Sequence, residues 1–173
     1  SIPAGQPIIF APDRNLGSYI NSVTGRDMLL WDGACHVHER FSVEGIAALK
    51  EKYPGAPVLV HPECKRPVVL MADKVGSTAV LLDYALASDC DTFIVATESG
   101  ILHQMRKAAP HKTFVPAPPV DSTCGCNDCN YMKLNTLEKL RDCLRDETNE
   151  VNVDPQLAAK AIKPIERMLE LSK

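Results

Sequence analysis

The sequence predicts an α/β fold in sandwiched layers, with parallel sheets between helices. Short apolar runs of three to five residues alternate with longer amphipathic stretches. The runs are apolar throughout, which is the pattern of strands buried on both faces. Helices separate them, and strands joined by helical crossovers lie parallel, with right-handed connections.

Taken in order, Pro7-Ile8-Ile9-Phe10-Ala11 reads as a buried strand and Asn15 to Val23 as a helix. Met28-Leu29-Leu30-Trp31 is a second strand. Ser42 is a good N-cap for a helix to about Lys52, with Ile46, Ala47 and Leu49 on its apolar side. Pro57 to Val60 is a third strand. Lys65 to Asp73 and Gly76 to Ser88 read as helices, and Thr92 to Ala96 as a fourth strand. Ile101 to Ala108 is a helix and Thr113-Phe114-Val115 a short fifth strand. After the stiff Pro116-Ala117-Pro118-Pro119 connector the pattern changes. A cysteine-rich stretch leads to helices at Thr136 to about Arg145, with Asn135 or Thr136 as its cap, and Pro155 to about Leu171, N-capped by Asp154.

The composition is that of a globular chain: 173 residues, 45% hydrophobic, 24% charged and 5% aromatic. It excludes a disordered chain, a collagen-like repeat and a membrane protein. No apolar run approaches the roughly 20 residues that span a bilayer. The start shows no signal peptide and no Met, so the chain is expected to begin partway through a longer cytoplasmic protein. A net charge of −3 with scattered Lys and Arg makes no field for a nucleic acid. A small molecule or a protein surface is the expected partner.

Seven cysteines is an odd number, which leaves one thiol over in any closed disulfide framework. In the predicted fold, ligand groups gather at the carboxyl ends of strands. Those ends read Asp32-Gly33-Ala34-Cys35-His36-Val37-His38, His61-Pro62-Glu63-Cys64 and Thr97-Glu98-Ser99-Gly100. Cys35 is either a ligand or a small buried hydrophobe, and His38 either joins it or fills and caps. His61 and Glu63 share one face of an extended segment stiffened by Pro62, as an acid/base pair or a surface ion pair. Thr97 reads as the cap of the next helix. Gly76-Ser77-Thr78 opens a helix, as an ordinary cap or as an anion site at the positive end of the dipole. Cys64, Cys90 and Cys143 read as structural.

The strongest local signal is Cys124-Gly125-Cys126-Asn127-Asp128-Cys129. Thiolates this close are metal ligands or a redox pair. A closed zinc site needs a fourth ligand that the segment lacks, and iron–sulfur clusters also use thiolates. Cys35 is the natural candidate for a ligand from elsewhere.

Read together, several segments resemble quinolinate synthase, the iron–sulfur enzyme family of NAD biosynthesis. They are Phe10-Ala11-Pro12-Asp13-Arg14-Asn15-Leu16-Gly17, Trp31 to His38, Val60-His61-Pro62-Glu63, Ala72 to Thr78, Phe93 to Glu98 and Cys129 to Glu138. The resemblance implies layered αβα Rossmann-like domains around a pseudo-threefold axis. It implies condensation of iminoaspartate with dihydroxyacetone phosphate to quinolinate, with loss of phosphate and water. It also implies a 4Fe-4S cluster on three cysteines with one open iron. Cys35 and Cys129 match two of those cysteines, while the third belongs to sequence upstream of Ser1. His61, Pro62 and Glu63 match the substrate-contacting segment. Thr78, with Ser77 beside it, matches the hydroxyl at the following helix start, and His38 falls in the substrate set. Members with extra cysteines space them Cys-x-x-Cys-x-x-Cys. Here the order is Cys-x-Cys-x-x-Cys, so a Cys124–Cys126 disulfide is not carried over. The resemblance further implies contact with the aspartate-oxidising enzyme that supplies iminoaspartate.

The expected organisation is the end of one α/β domain at 1–34 and a complete αβα domain at 35–118. Residues 119–173 are then a cysteine loop with helices that pack on an absent amino-terminal domain. The readings that compete with the enzyme are a structural zinc module on the carboxyl-terminal cysteines and a non-catalytic anion-binding domain.

Overall fold

The apolar runs fold as parallel strands in two sheets. The computed structural model describes residues 2–121 and 127–172. The chain divides into two compact units, Pro7–Asn130 and Ser1–Gln6 with Tyr131–Lys173.

The larger unit begins with β1 (Ile9–Phe10), α1 (Arg14–Thr24) and β2 (Leu29–Leu30). β1 and β2 form a two-stranded parallel sheet in the register Ile9↔Leu29. After a 3₁₀ turn (His38–Arg40) come α2 (Val43–Lys52), β3 (Val58–Val60), α3 (Arg66–Val69), β4 (Lys74–Val75), α4 (Thr78–Ala87), β5 (Thr92–Ala96), α5 (Gly100–Ala108) and β6 (Thr113–Pro116). The second sheet has the order β4-β3-β5-β6, and every neighbouring pair is parallel.

Alternation along the strands builds two cores. Val58, Val60, Ile94 and Ala96 face Phe41, Ile46, Cys64 and Val68. Leu59, Phe93 and Val95 face Leu81, Ala85, Leu102 and Met105. Helices α2 and α3 thus cover one face and α4 and α5 the other. This is the αβα layering that uninterrupted apolar strands require.

The connection leaving β3 runs to β4 on one side, and the connection leaving β5 runs to β6 on the other. Diverging crossovers open a crevice between the carboxyl ends of β3 and β5, the place where such sheets bind ligands.

One stretch differs from its sequence reading. Lys65 to Asp73 is one helical turn rather than a long helix, and Lys74–Val75 is an edge strand. The Asp73 backbone N–H donates to the Val58 carbonyl at 2.9 Å. Its carboxylate accepts from the Val58 N–H at 2.8 Å. These two bonds draw the chain onto the sheet, and a two-residue strand is too short to leave a periodic pattern.

In the second unit, α6 (Leu137–Asp146) is capped by Thr136 and α7 (Pro155–Leu171) by Asp154, as their sequences predict. No helix of the described residues is long and apolar enough to cross a membrane.

Candidate functional site

The site begins at Asp13, which is buried. Its Oδ1 accepts from the Leu16 N–H at 2.8 Å and closes the first turn of α1. Its Oδ2 accepts from the Cys35 N–H, also at 2.8 Å. One carboxylate therefore joins the start of α1 to the segment that carries Cys35. The Glu39 N–H then donates to the Cys35 carbonyl at 3.0 Å, closing the turn that brings His38 inward.

His38 is 6% exposed. Its Nε2 lies 3.0 Å from the Thr97 hydroxyl at the end of β5. Its Nδ1 lies 3.0 Å from Glu63 Oε2, yet the alignment makes no hydrogen bond, so this buried nitrogen has no hydrogen-bond partner. The imidazole stacks on that of His61, with centroids 4.5 Å apart and planes at 18°.

His61 extends the β3 ladder by one bond, its N–H donating to the Ala96 carbonyl at 3.1 Å. Cys64 N–H donates back to the His61 carbonyl at 3.0 Å, so His61-Pro62-Glu63 is a turn and not the extended segment its sequence predicts. The turn still brings the two side chains together, with His61 Nδ1 3.9 Å from Glu63 Oε2. Glu63 N–H donates to His61 Nδ1 at 3.3 Å, so a neutral His61 carries its proton on Nε2.

The electrostatics follow from burial. Burial, helped by His61 and His36, holds the His38 pKa down to about 4. The pKa of His61 is lowered for the same first reason, against the pull of Asp13. Burial and the Asp13 charge push the Glu63 carboxyl up, against a hydrogen bond with Cys35. Burial also raises the Cys35 thiol, while backbone N–H groups of His38 and Val37 favour its thiolate. The ligand atoms of Cys35, His38 and Glu63 all lie within 4.8 Å of one another.

Cys129 stands on a loop pinned to the same rim of the sheet. Its N–H donates to Glu98 Oε1 at 3.3 Å, and Glu98 Oε2 accepts from the Gly100 N–H at 2.7 Å. The Ser99 N–H donates to the Asn127 carbonyl at 3.2 Å, and the Ser99 hydroxyl bonds the Asp128 carboxylate. Asn127 Nδ2 donates to the Ala117 carbonyl at the end of β6 at 2.6 Å.

Cys35, His38, His61 and Glu63 are thus brought together, whereas Cys129 is outside the group whose ligand atoms gather. Ser77 and Thr78 are exposed at the start of α4, where the Ser77 hydroxyl caps Val80 N–H at 3.4 Å. Gly76 N–H donates to the Val60 carbonyl, which sets that helix start beside the end of β3. Cys64 is buried and its thiol donates to the Ala96 carbonyl at 3.5 Å, as a structural cysteine would. Cys124 and Cys126 lie outside the described residues.

Three participants take roles that the sequence does not assign them individually. Thr97 does not cap α5, because its hydroxyl turns to His38. Glu98 serves α5 and Cys129 at once, and Asp13 holds Cys35. Thr97 and Glu98 stand at a strand end where ligand groups are expected, and an Asp three residues before a helical Leu is a recognisable N-cap.

The family model described as Quinolinate synthetase A protein matches residues 1–170. The chain belongs to the quinolinate synthase family. A quinolinate synthase of Thermosynechococcus vestitus is 56% identical over 171 residues, covering 99% of this chain and 54% of the relative. One of Microcystis aeruginosa is 57% identical over 171 residues, covering 99% of this chain and 53% of the relative. One of Chloroherpeton thalassium is 56% identical over 172 residues, with 99% and 53% covered. The chain spans about half the length of the curated quinolinate synthases it matches.

Proposed function

We propose that the chain carries the catalytic crevice of a quinolinate synthase. That enzyme condenses iminoaspartate with dihydroxyacetone phosphate to give quinolinate, with release of phosphate and water. The observation that carries this reading is the meeting of Cys35, His38, His61 and Glu63 at the carboxyl ends of β3 and β5. Membership of the quinolinate synthase family supports this reading of the reaction.

Two features support a 4Fe-4S cluster held by Cys35 and Cys129. Burial raises the Cys35 thiol, and the backbone N–H groups of His38 and Val37 act against it, toward the thiolate that a cluster ligand needs. The Cys129 backbone is fixed to the same sheet rim through Glu98. A cluster with one open iron supplies Lewis acidity toward a departing hydroxyl or a carbonyl oxygen.

The chain's own residues supply the rest. Glu63, with its carboxyl pushed up by burial, accepts and returns a proton closer to neutral pH than an ordinary carboxylate does. His61 presents its Nε2 proton as a donor because Nδ1 is already engaged by the Glu63 N–H. His38 is neutral, and Thr97 fixes its ring plane. The first turn of α4, with Ser77 and Thr78, offers N–H groups and a hydroxyl to a substrate carboxylate or phosphate. An aspartate-oxidising enzyme that delivers the labile imine is the fitting protein partner, in the cytoplasm.

Anaerobic reconstitution of the holoenzyme, compared with its Cys129→Ser variant, tests the reading. Loss of iron and of activity together is expected. Retained iron and activity would overturn the ligand assignment.

A further inference from the structure

We propose that the metal-free chain binds a single thiophilic divalent cation, of the Zn²⁺ class, through Cys35 Sγ, His38 Nδ1 and a Glu63 carboxylate oxygen. This site is distinct in chemistry from the cluster reading above, although Cys35 belongs to both. The cation therefore competes with cluster assembly.

Three observations carry it. The ligand atoms of Cys35, His38 and Glu63 all lie within 4.8 Å of one another. A tetrahedral centre with bonds of about 2.0–2.3 Å separates its ligand atoms by roughly 3.3–3.8 Å, so only a small closure is needed. The His38 Nδ1 is buried and unsatisfied, a costly state in a protein interior unless something occupies its lone pair. The opposite nitrogen meets the Thr97 hydroxyl at 3.0 Å. That is the outer-shell contact that orients a metal-binding imidazole, with Nε2–H donating and Nδ1 left to coordinate.

The donor set also selects the ion. One thiolate, one imidazole and one carboxylate suit zinc and exclude magnesium and calcium, which take all-oxygen sets. Three protein ligands leave a fourth position for water, the arrangement of an open zinc site. On binding, the Cys35 thiol releases its proton to solvent and the sulfur–metal bond forms. No oxidant or reductant takes part.

The test uses the full chain, stripped of metal and kept reduced, in a background where Cys124, Cys126 and Cys129 are all replaced by Ser. That background removes the carboxyl-terminal zinc module as a source of binding. Titration with Zn²⁺ is expected to saturate at one ion per chain. Co²⁺ is expected to give a sulfur-to-cobalt charge-transfer band and an intense tetrahedral visible spectrum. Cys35→Ser should abolish the band. His38→Ala and Glu63→Gln should weaken binding by at least tenfold, and Thr97→Val by about tenfold.

Absence of Zn²⁺ binding in the triple-Ser background overturns the proposal, as does affinity unchanged by His38→Ala. Should His38→Ala fail to fold, the cobalt spectrum and Thr97→Val decide on the same criteria. Prior loading of the otherwise unsubstituted chain with one equivalent of Zn²⁺ is expected to block iron uptake during reconstitution. Unimpeded uptake would overturn the competition. Failure of the cluster reading shows up separately, as iron retained by Cys129→Ser.

Discussion

Glu63 is the side chain on which the crevice turns, because the Cys35 thiol and the His38 imidazole of one segment and the His61 imidazole of its own turn gather about it. Replacing it with Gln keeps the shape and removes the titrating proton. The reconstituted Glu63→Gln holoenzyme is expected to lose at least about a hundredfold in kcat while keeping its iron, the scale of a missing acid/base group. His38 makes a different prediction for the metal-free chain. Its pKa of about 4 lies below the ordinary 6.5, so between these values the unfolded chain binds a proton that the folded chain refuses. Its contribution to stability is therefore complete above pH 6.5 and declines as the pH falls toward about 4. His61 acts with the same sign. Glu63, raised instead, works oppositely, favouring the folded chain at low pH and losing that effect as the pH rises through its shifted value. Urea midpoints measured at about pH 7.5 and about pH 5 should show the folded state weaker at the lower pH. A His38→Asn chain should show a smaller difference. The pairing of His61 with Glu63 was legible because the two are near neighbours in the chain. The meeting of His38 with Glu63 was not, since helix α2 and strand β3 lie between them in the chain. Thr97-Glu98-Ser99-Gly100 has the chemistry of a helix start, and only the packed fold shows the Thr97 hydroxyl spent on His38.

Single carboxylates and single glycines fix whole segments at the scale of the elements. Asp13 stabilises α1 as its N-cap and also satisfies the Cys35 N–H. Asp13→Ala loses a cap worth about 1 kcal/mol and leaves a buried donor unpaired at about 1–3 kcal/mol more. Urea unfolding should show a loss of roughly 2–4 kcal/mol. Gly33 permits the close approach on which that arrangement depends. A Cβ built there would lie 2.5 Å from the Pro12 carbonyl oxygen, a backbone atom that cannot step aside alone. Gly33→Ala is expected to cost about 1–3 kcal/mol, the usual penalty of overpacking, and to weaken the Asp13–Cys35 bond with it. Urea unfolding reads the first effect, and faster hydrogen exchange at the Cys35 amide reads the second. The long elements were legible from periodicity and caps: Ser42, Thr136 and Asp154 all cap the helices their positions predict. β4 was not, because two bonds from Asp73 to Val58, and not a pattern of side chains, make it a strand.

The apolar surface left in contact with solvent governs the behaviour of the whole molecule. Ile9, Leu29 and Trp31 are exposed on the two-stranded sheet. Leu137, Leu140 and Leu144 are exposed on α6, and Ile162, Ile165, Met168 and Leu169 on α7. Groups of exposed large apolar side chains on one element favour association. The isolated 173 residues are expected to elute above monomer size or to aggregate on size exclusion. A clean monomer with a cooperative melt would contradict this. By itself the sequence determined the α/β class, the parallel order implied by uninterrupted apolar strands, the main helix starts and the family. Those rest on local periodicity, capping and motif spacing, which a linear chain displays directly. Tertiary structure alone decided that His38 lies against His61 and Glu63, that Thr97 and Glu98 serve the crevice and not merely a helix end, and that Asp13 ties Cys35 to α1. Such contacts join segments far apart in the chain, and their geometry exists only once the crossovers have laid β3 beside β5.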